Sequence, residues 1–125
     1  MKLKTLLWLQ IVYFLLADGY NLANLLLTMR GASPVSSSQT MIVVSIISVV
    51  IYALFLIPGF LGKIRLYRIL VGVFTLVLIY AVVNNIIGVA QAQGSAAIAA
   101  RWLALGINVY GLVISSIAVL GKFKL

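Results

Sequence analysis

The chain has 125 residues, of which 65% are hydrophobic and 8% are charged, and its mean hydropathy is +1.26. This composition excludes an ordinary soluble domain and indicates a single domain, residues 1–125, embedded in a membrane. The sequence contains no cysteine, no histidine and one acidic residue, which leaves no disulfide, no thiolate metal site and no pair of groups for acid–base catalysis. We therefore expect no enzymatic activity, no cofactor and no metal.

The net charge of +8 comes from nine Lys and Arg residues that stand in short groups at the ends of apolar segments. A nucleic-acid-binding protein instead gathers such residues on one face, so we expect no nucleic acid partner. Basic groups at helix ends suit anionic lipid headgroups. The sequence therefore predicts contact with a bilayer whose anionic headgroups lie at the cytoplasmic face.

Four apolar segments are long enough to cross the membrane, which takes about 20 residues at about 1.5 Å each. We place these helices at about 5–29, 40–62, 69–92 and 96–121. The first link runs from Arg30 to Gln39, the second from Lys63 to Arg68, and the third ends at Ser95, a predicted helix N-cap. Short links favour antiparallel neighbours, so the predicted fold is an all-α, integral membrane, up-down-up-down four-helix bundle.

The distribution of positive charge predicts the orientation, because Lys and Arg are retained on the cytoplasmic side. Seven basic residues fall on the side of the two termini and two, Arg30 and Arg101, fall on the other, so both termini should be cytoplasmic in a bacterial-type plasma (inner) membrane. The predicted interfacial aromatic residues are Trp8, Tyr67, Trp102 and Phe123. A cleaved signal peptide ending near Ala17 is the alternative for the first segment, although Leu15 does not fit the small-residue cleavage pattern.

Small and polar residues recur at helical spacing in each segment. In a membrane such stripes mark the faces where helices pack, since lipid is as apolar as leucine. Pro58, followed by Gly59, predicts a kink near the end of the second helix. The stripes consist of Gln10, Ala17, Asn21, Asn24 and Thr28; Ser45, Ser48, Tyr52, Gly59 and Gly62; Ala81, Asn85, Gly88 and Ala92, with Asn84 beside them; and Ala104, Asn108, Gly111, Ser115 and Ala118.

The depth of the polar residues is uneven. All the asparagines lie between the midplane and the external side, whereas the cytoplasmic half holds only hydroxyl groups and Gln10. We interpret this as a bundle with a polar outer half and an apolar inner half. Such a distribution is typical of a cavity open to the outside, or of a polar cluster that binds another polar element.

Asp18, the single acidic residue, lies near the midplane of the first helix. An ionised carboxylate there costs at least about 2.5 to 3.5 kcal/mol, so it must be paired, hydrated or protonated. It stands on the edge of its stripe and faces either the bundle or another chain. The candidate intramembrane site, for a proton or a cation, comprises Asp18, Asn21, Asn24, Asn84, Asn85 and Asn108, with Arg101 as a possible ion-pair partner.

Three functions remain open. The first is an accessory or assembly subunit that docks through its polar and small-residue helix faces, as a homo-oligomer or with a partner membrane subunit. The second is a small oligomeric transporter or channel that uses Asp18 and the asparagines, and the third is a holin-like pore. The plan is similar to that of the small multidrug resistance transporters, but their first-helix glutamate and glycine-rich third helix are missing, so their activity is not transferred.

Overall fold

The computed structural model describes residues 2–31, 39–91 and 93–121, and every regular element longer than one residue in these ranges is a helix. Four stretches are long and apolar enough to cross a membrane, namely Leu3–Met29, Thr40–Phe60, Ile64–Gln91 and Ser95–Leu120. These four stretches indicate a multi-pass membrane protein. Most of the predicted first link, residues 32–38, lies outside the described ranges. The helices are α1 (Leu3–Met29), α2 (Gln39–Phe55), α3 (Ile57–Phe60), α4 (Ile64–Gln91) and α5 (Ser95–Leu120).

The second membrane stretch is interrupted at Leu56, two residues before Pro58. Proline donates no backbone hydrogen bond and its ring crowds the carbonyl one turn earlier. At the interruption the Leu56 amide donates to the Ala53 carbonyl at 3.1 Å, a tighter turn than an α-helix, and α3 then continues toward the end of the stretch. The break lies where the Pro58 kink is predicted.

The link before α4 is shorter than the sequence indicates. Three basic residues led us to expect a link from Lys63 to Arg68, but α4 begins at Ile64 and the Tyr67 amide already donates to the Lys63 carbonyl at 3.0 Å. The turn is instead made at Gly62, whose φ of +79° favours glycine. The expected start at residue 69 was wrong because Tyr67, fully buried, anchors this first turn of α4 in the core.

The start of α5 also differs from the prediction. Gly94 occupies the N-cap position with a φ of +87°, and no side chain caps the helix. Ser95 is the first residue of the helix itself, so its predicted role as N-cap was wrong. The left-handed backbone needed to turn from α4 into α5 requires glycine there, and this moves the serine one position into the helix.

Each long helix has two main neighbours. In the described ranges α1 packs against α2 and α5, α5 packs against α4, and α4 touches α2 more lightly. The backbones of α2 and α5, and those of α1 and α4, do not approach each other closely across these ranges. The helices therefore form a ring in the order α2, α1, α5, α4, and the weakest seam of the ring lies between α4 and α2.

One end of the bundle is tightly closed. Leu7 and Tyr67 lie around Gly59 of α3, the Trp8 and Phe60 rings meet edge to face at 6.3 Å, and the Arg68 guanidinium donates to the Gly121 carbonyl at 2.7 Å. We call this the closed end. The buried apolar side chains concentrate toward it and include Leu6, Leu7, Tyr52, Leu56, Tyr67, Val71 and Ala118.

Candidate functional site: a polar cavity above a hydrogen-bonded core

A cavity of about 410 Å³ lies among α1, α2, α4 and α5, on the side of the bundle away from the closed end. We call it the polar cavity, and we call that side of the bundle the cavity end. Side-chain amides and hydroxyls from all four helices line it together with apolar residues. The polar lining residues are Tyr13, Tyr20, Asn21, Asn24, Ser45, Ser48, Tyr80, Asn84, Asn85, Arg101 and Asn108.

The structure brings the asparagines of the predicted site together. Asn21 and Asn24 reach the polar cavity from α1, Asn84 and Asn85 reach it from α4, and Asn108 reaches it from α5. Asn84 is exposed at the rim while the other four are half-buried. Helical spacing placed these amides on inward faces, and the packing of the ring converts those faces into one common wall.

Asp18 lies beside this wall and is not one of its residues. At about 100° per residue, the side chain of Asp18 is turned by roughly that angle from Ala17, which does line the cavity. Asp18 is only 9% exposed, so it is buried within this chain instead of facing a second one. Its Oδ1 atom is buried without a hydrogen-bond partner among the described residues, and Asn21, one turn along α1, is its polar neighbour.

Arg101 lines the polar cavity from the second turn of α5. Its side chain packs over Gly88 of α4, where an added Cβ would lie 3.1 Å from both Cδ and Nη1 of the arginine. Across the described ranges no ion pair joins Arg101 to Asp18, and no hydrogen bond occupies its guanidinium. The predicted ion pair is therefore not formed in these ranges: the guanidinium packs over Gly88 of α4, and Asp18 is not among the residues that line the cavity.

An aromatic floor separates the polar cavity from the closed end. Tyr13 and Phe74 line the cavity from below, and the Tyr52 ring lies between them, 5.2 Å from Tyr13 edge to face and 4.7 Å from Phe74. Gly111 of α5 permits this arrangement, since an added Cβ would lie 2.7 Å from the Cδ2 and Cζ atoms of Tyr13. Helices α1 and α5 approach closely at this level because glycine leaves room for the tyrosine ring.

Beneath the floor lies a set of buried hydrogen bonds that we call the core network: Gln10, Tyr52, Tyr67 and Ser115. Gln10 donates from Nε2 to the Tyr52 hydroxyl at 2.8 Å and accepts from the Tyr67 hydroxyl, and Tyr52 and Ser115 share a hydrogen bond of 3.1 Å. All four side chains are fully buried. One residue from each of α1, α2, α4 and α5 is thus joined in a single polar cluster.

Sequence reasoning missed the core network. The half of the bundle expected to be apolar contains it, and Tyr67, expected in an interfacial aromatic belt, is inside the core. A signal was present, because Gln10, Tyr52 and Ser115 each belong to a predicted inward stripe. Their register across three helices, and the inclusion of Tyr67 in α4, depended on packing that the stripes alone do not define.

Outside the core network, two tyrosines tie α1 to α5. The Tyr20 hydroxyl donates to the Ala100 carbonyl at 3.1 Å, and the Tyr110 hydroxyl donates to the Leu9 carbonyl at 3.0 Å. Tyr20 lines the polar cavity, and its partner Ala100 directly precedes Arg101 in the chain. These bonds hold the α1–α5 side of the ring together, whereas the backbones of α2 and α4 make fewer contacts.

No protein-family model, curated protein or solved structure matches the chain. The chemistry of the site therefore stands on its residues. No group of three or more His, Cys, Asp or Glu side chains able to hold a metal occurs in the described part of the chain. The polar cavity instead presents amides, hydroxyls and one guanidinium, which donate hydrogen bonds to neutral or anionic groups.

Proposed function

We propose that the protein is a non-enzymatic, multi-pass membrane protein that holds a polar ligand in the polar cavity, as a small transporter holds its substrate. The observation that carries the proposal is the cavity itself, which has amides on its walls and an aromatic floor over a packed core. Polar side chains within a membrane are costly and most often mark a ligand or ion path. Ligand sites in bundles lie between the helices in this way.

The proposal includes an orientation. We propose an up-down-up-down bundle with both termini and the closed end in the cytoplasm, and with the cavity end outside, in a bacterial-type inner membrane. The contacts of Trp8 with Phe60 and of Arg68 with Gly121 support the up-down-up-down arrangement of the helices, since each contact joins the beginning of one helix to the end of another. The excess of Lys and Arg beside the closed end supports a cytoplasmic location for that end.

The test uses the absence of cysteine from the native chain. A single Ser48→Cys substitution puts a thiol on the cavity wall, and we expect a hydrophilic, membrane-impermeant maleimide to label it in nanodiscs. The matched control is Val50→Cys, two residues further along α2, which is 41% exposed and does not line the cavity. Its thiol should face lipid at nearly the same depth and react at least about tenfold more slowly, because hydrocarbon excludes the reagent.

Equal labelling rates for Ser48→Cys and Val50→Cys would reject a water-accessible cavity.

A second candidate function, the accessory or assembly subunit, is favoured by the weak α2–α4 seam, where the polar residues Ser45 and Asn84 are exposed. A partner helix seated in that seam would protect Ser48→Cys in native membranes, and the protection would vanish in the purified protein. Labelling that is fast in both preparations favours the ligand-binding function.

The role of Asp18 as a proton or cation site stays a prediction. Its buried, unpartnered Oδ1 is the feature that favours it, and its position outside the cavity lining separates it from the ligand proposed here. A holin-like pore has no comparable support, since the core network and the apolar side chains around it fill the closed end.

A further inference from the structure

The charge of the polar cavity points to the class of its ligand. Arg101 is the one charged side chain among the described residues that line it, so the cavity carries a positive charge and no acidic group. The guanidinium is half-buried and has neither an ion pair nor a hydrogen bond within the described ranges. An arginine held in a membrane without a counter-charge is a site for an anion, and its planar fork suits phosphate oxygens in particular.

Neutral hydrogen-bond donors share the polar cavity with this cation. Asn85 and Asn108 present side-chain amides in the same cavity from α4 and α5. The guanidinium is also held in place, because it lies over Gly88, while the bond from the Tyr20 hydroxyl to the Ala100 carbonyl fixes α1 beside it. A guanidinium bonds phosphate oxygens strongly, and the amides can donate further hydrogen bonds to the same group.

The shape of the cavity points to a lipid as the carrier of that phosphate. The lining continues onto Val44 of α2 and onto Val77 and Tyr80 of α4, which are 50%, 46% and 68% exposed. Val77 lies about 21 Å from the end of α4 at about 1.5 Å per residue, so this rim reaches the depth of the hydrocarbon. The rim follows the weak seam between α2 and α4, and its apolar side chains face the membrane.

The depth of Arg101 in the membrane agrees with a lipid as the source of the phosphate. It lies about 9 Å from the start of α5 at about 1.5 Å per residue, and α5 is about 39 Å long on the same scale. Centred on a hydrocarbon layer about 30 Å thick, the Cα of Arg101 is only a few Å below the boundary at which lipid headgroups begin. A phosphate can reach the guanidinium from there while its acyl chains stay between α2 and α4.

We propose that the polar cavity binds the phosphate headgroup of an anionic membrane lipid, with Arg101 as the charged contact and the α2–α4 seam as the way in for the acyl chains. This inference rests on the proposed ligand-binding function and specifies its ligand. The site differs from the basic groups near the closed end, which are spread over exposed residues such as Lys63 and Arg65.

The experiment measures lipid adducts by native mass spectrometry of the purified, delipidated full-length protein titrated with phosphatidic acid. We expect one tightly bound lipid for the native chain, and a loss of affinity of about tenfold or more for Arg101→Gln, because a charge-assisted hydrogen bond is lost. The matched control is Arg30→Gln, which removes the same charge from an exposed arginine at the end of α1 and should leave the affinity unchanged. Arg101→Lys, which keeps the charge without the fork, should bind with intermediate affinity.

Two further arms identify the source of the phosphate. Diacylglycerol, which has the acyl chains without the phosphate, should bind at least about tenfold more weakly than phosphatidic acid, and millimolar inorganic phosphate should not displace the lipid. Displacement by inorganic phosphate, equal binding of diacylglycerol, or equal losses in Arg101→Gln and Arg30→Gln would each overturn the proposal. Fast labelling of Ser48→Cys together with any of these results would retain the ligand-binding function and reject only the lipid.

Discussion

At the residue scale, Gln10 is a fully buried amide that links α1 to two other helices. It donates to the Tyr52 hydroxyl and accepts from the Tyr67 hydroxyl, so both ends of its amide are used. A buried amide without partners would be costly, whereas a fully satisfied one specifies how helices fit together. The core network therefore sets the register of α1, α2 and α4 near the closed end.

Removal of one hydroxyl tests this role. We expect Tyr52→Phe to lower the free energy of unfolding by about 1 kcal/mol, because the Gln10 donor and the Ser115 hydroxyl both lose a partner. The measurement is the loss of helical circular dichroism during titration of the detergent-solubilised protein with dodecyl sulfate. The ring contacts of Tyr52 with Tyr13 and Phe74 should survive, since phenylalanine keeps the same ring.

Tyr80→Phe is the control for this change. Tyr80 is 68% exposed, and its hydroxyl has no hydrogen-bond partner in the described part of the chain. Its substitution should alter the unfolding free energy by less than about 0.5 kcal/mol. If the two variants lost the same stability, the hydrogen bonds of the core network would have no special role in holding the helices together.

At the element scale, the contact between α1 and α5 depends on a glycine. Gly111 is buried, and a methyl group there would overlap the Tyr13 ring at the floor of the polar cavity. We expect Gly111→Ala to destabilise the protein by about 1 to 3 kcal/mol, since an overpacked interface must move the helices or the ring. The same titration with dodecyl sulfate measures the change.

The same helix provides a matched control for Gly111→Ala. Gly106 is exposed, and a Cβ at that position would meet no atom within 4 Å. We expect Gly106→Ala to leave stability unchanged or to raise it slightly, because alanine has the better helix propensity. A large loss in Gly106→Ala, or none in Gly111→Ala, would show that the close approach of α1 and α5 is not what the glycine permits.

At the scale of the whole molecule, the two ends of the bundle differ in packing and in charge. Helices α1 and α4 begin at the closed end with basic residues, whereas the cavity end carries Arg30 and Arg101. The retention of positive charge in the cytoplasm predicts that the closed end is inside. A polar cavity that faces outward follows from the same assignment.

Reporter fusions measure this orientation. A fluorescent protein fused after Leu125 should fold and fluoresce in the cytoplasm, and alkaline phosphatase at the same position should be inactive because it requires an oxidising compartment. Insertion of the phosphatase after Gly31, in the link between α1 and α2, should give an active enzyme. Active phosphatase at the C-terminus would reverse the proposed orientation, and activity at both positions would break the alternation of the helices.

The sequence by itself determined the class of the protein and much of its secondary structure. Apolar length defined the four membrane stretches, and the 3.6-residue period placed Asn21, Asn85 and Asn108 on inward faces, because both signals are local and additive along the chain. Pro58 likewise indicated the interruption of the second stretch from its own chemistry. The charged residues misled at α4, where tertiary burial of Tyr67 extended the helix through Arg65.

The tertiary structure decided which neighbours these faces meet. A stripe defines a direction from one helix axis, but the azimuth and the register of four helices are set by close packing, which depends on residues far apart in the chain. That packing joined Gln10 to Tyr52 and Ser115, and it buried Asp18 within its own chain beside the polar cavity instead of inside it. It also placed Arg101 on the cavity wall, so the charge facing a ligand is positive even though the acidic residue first marked the site.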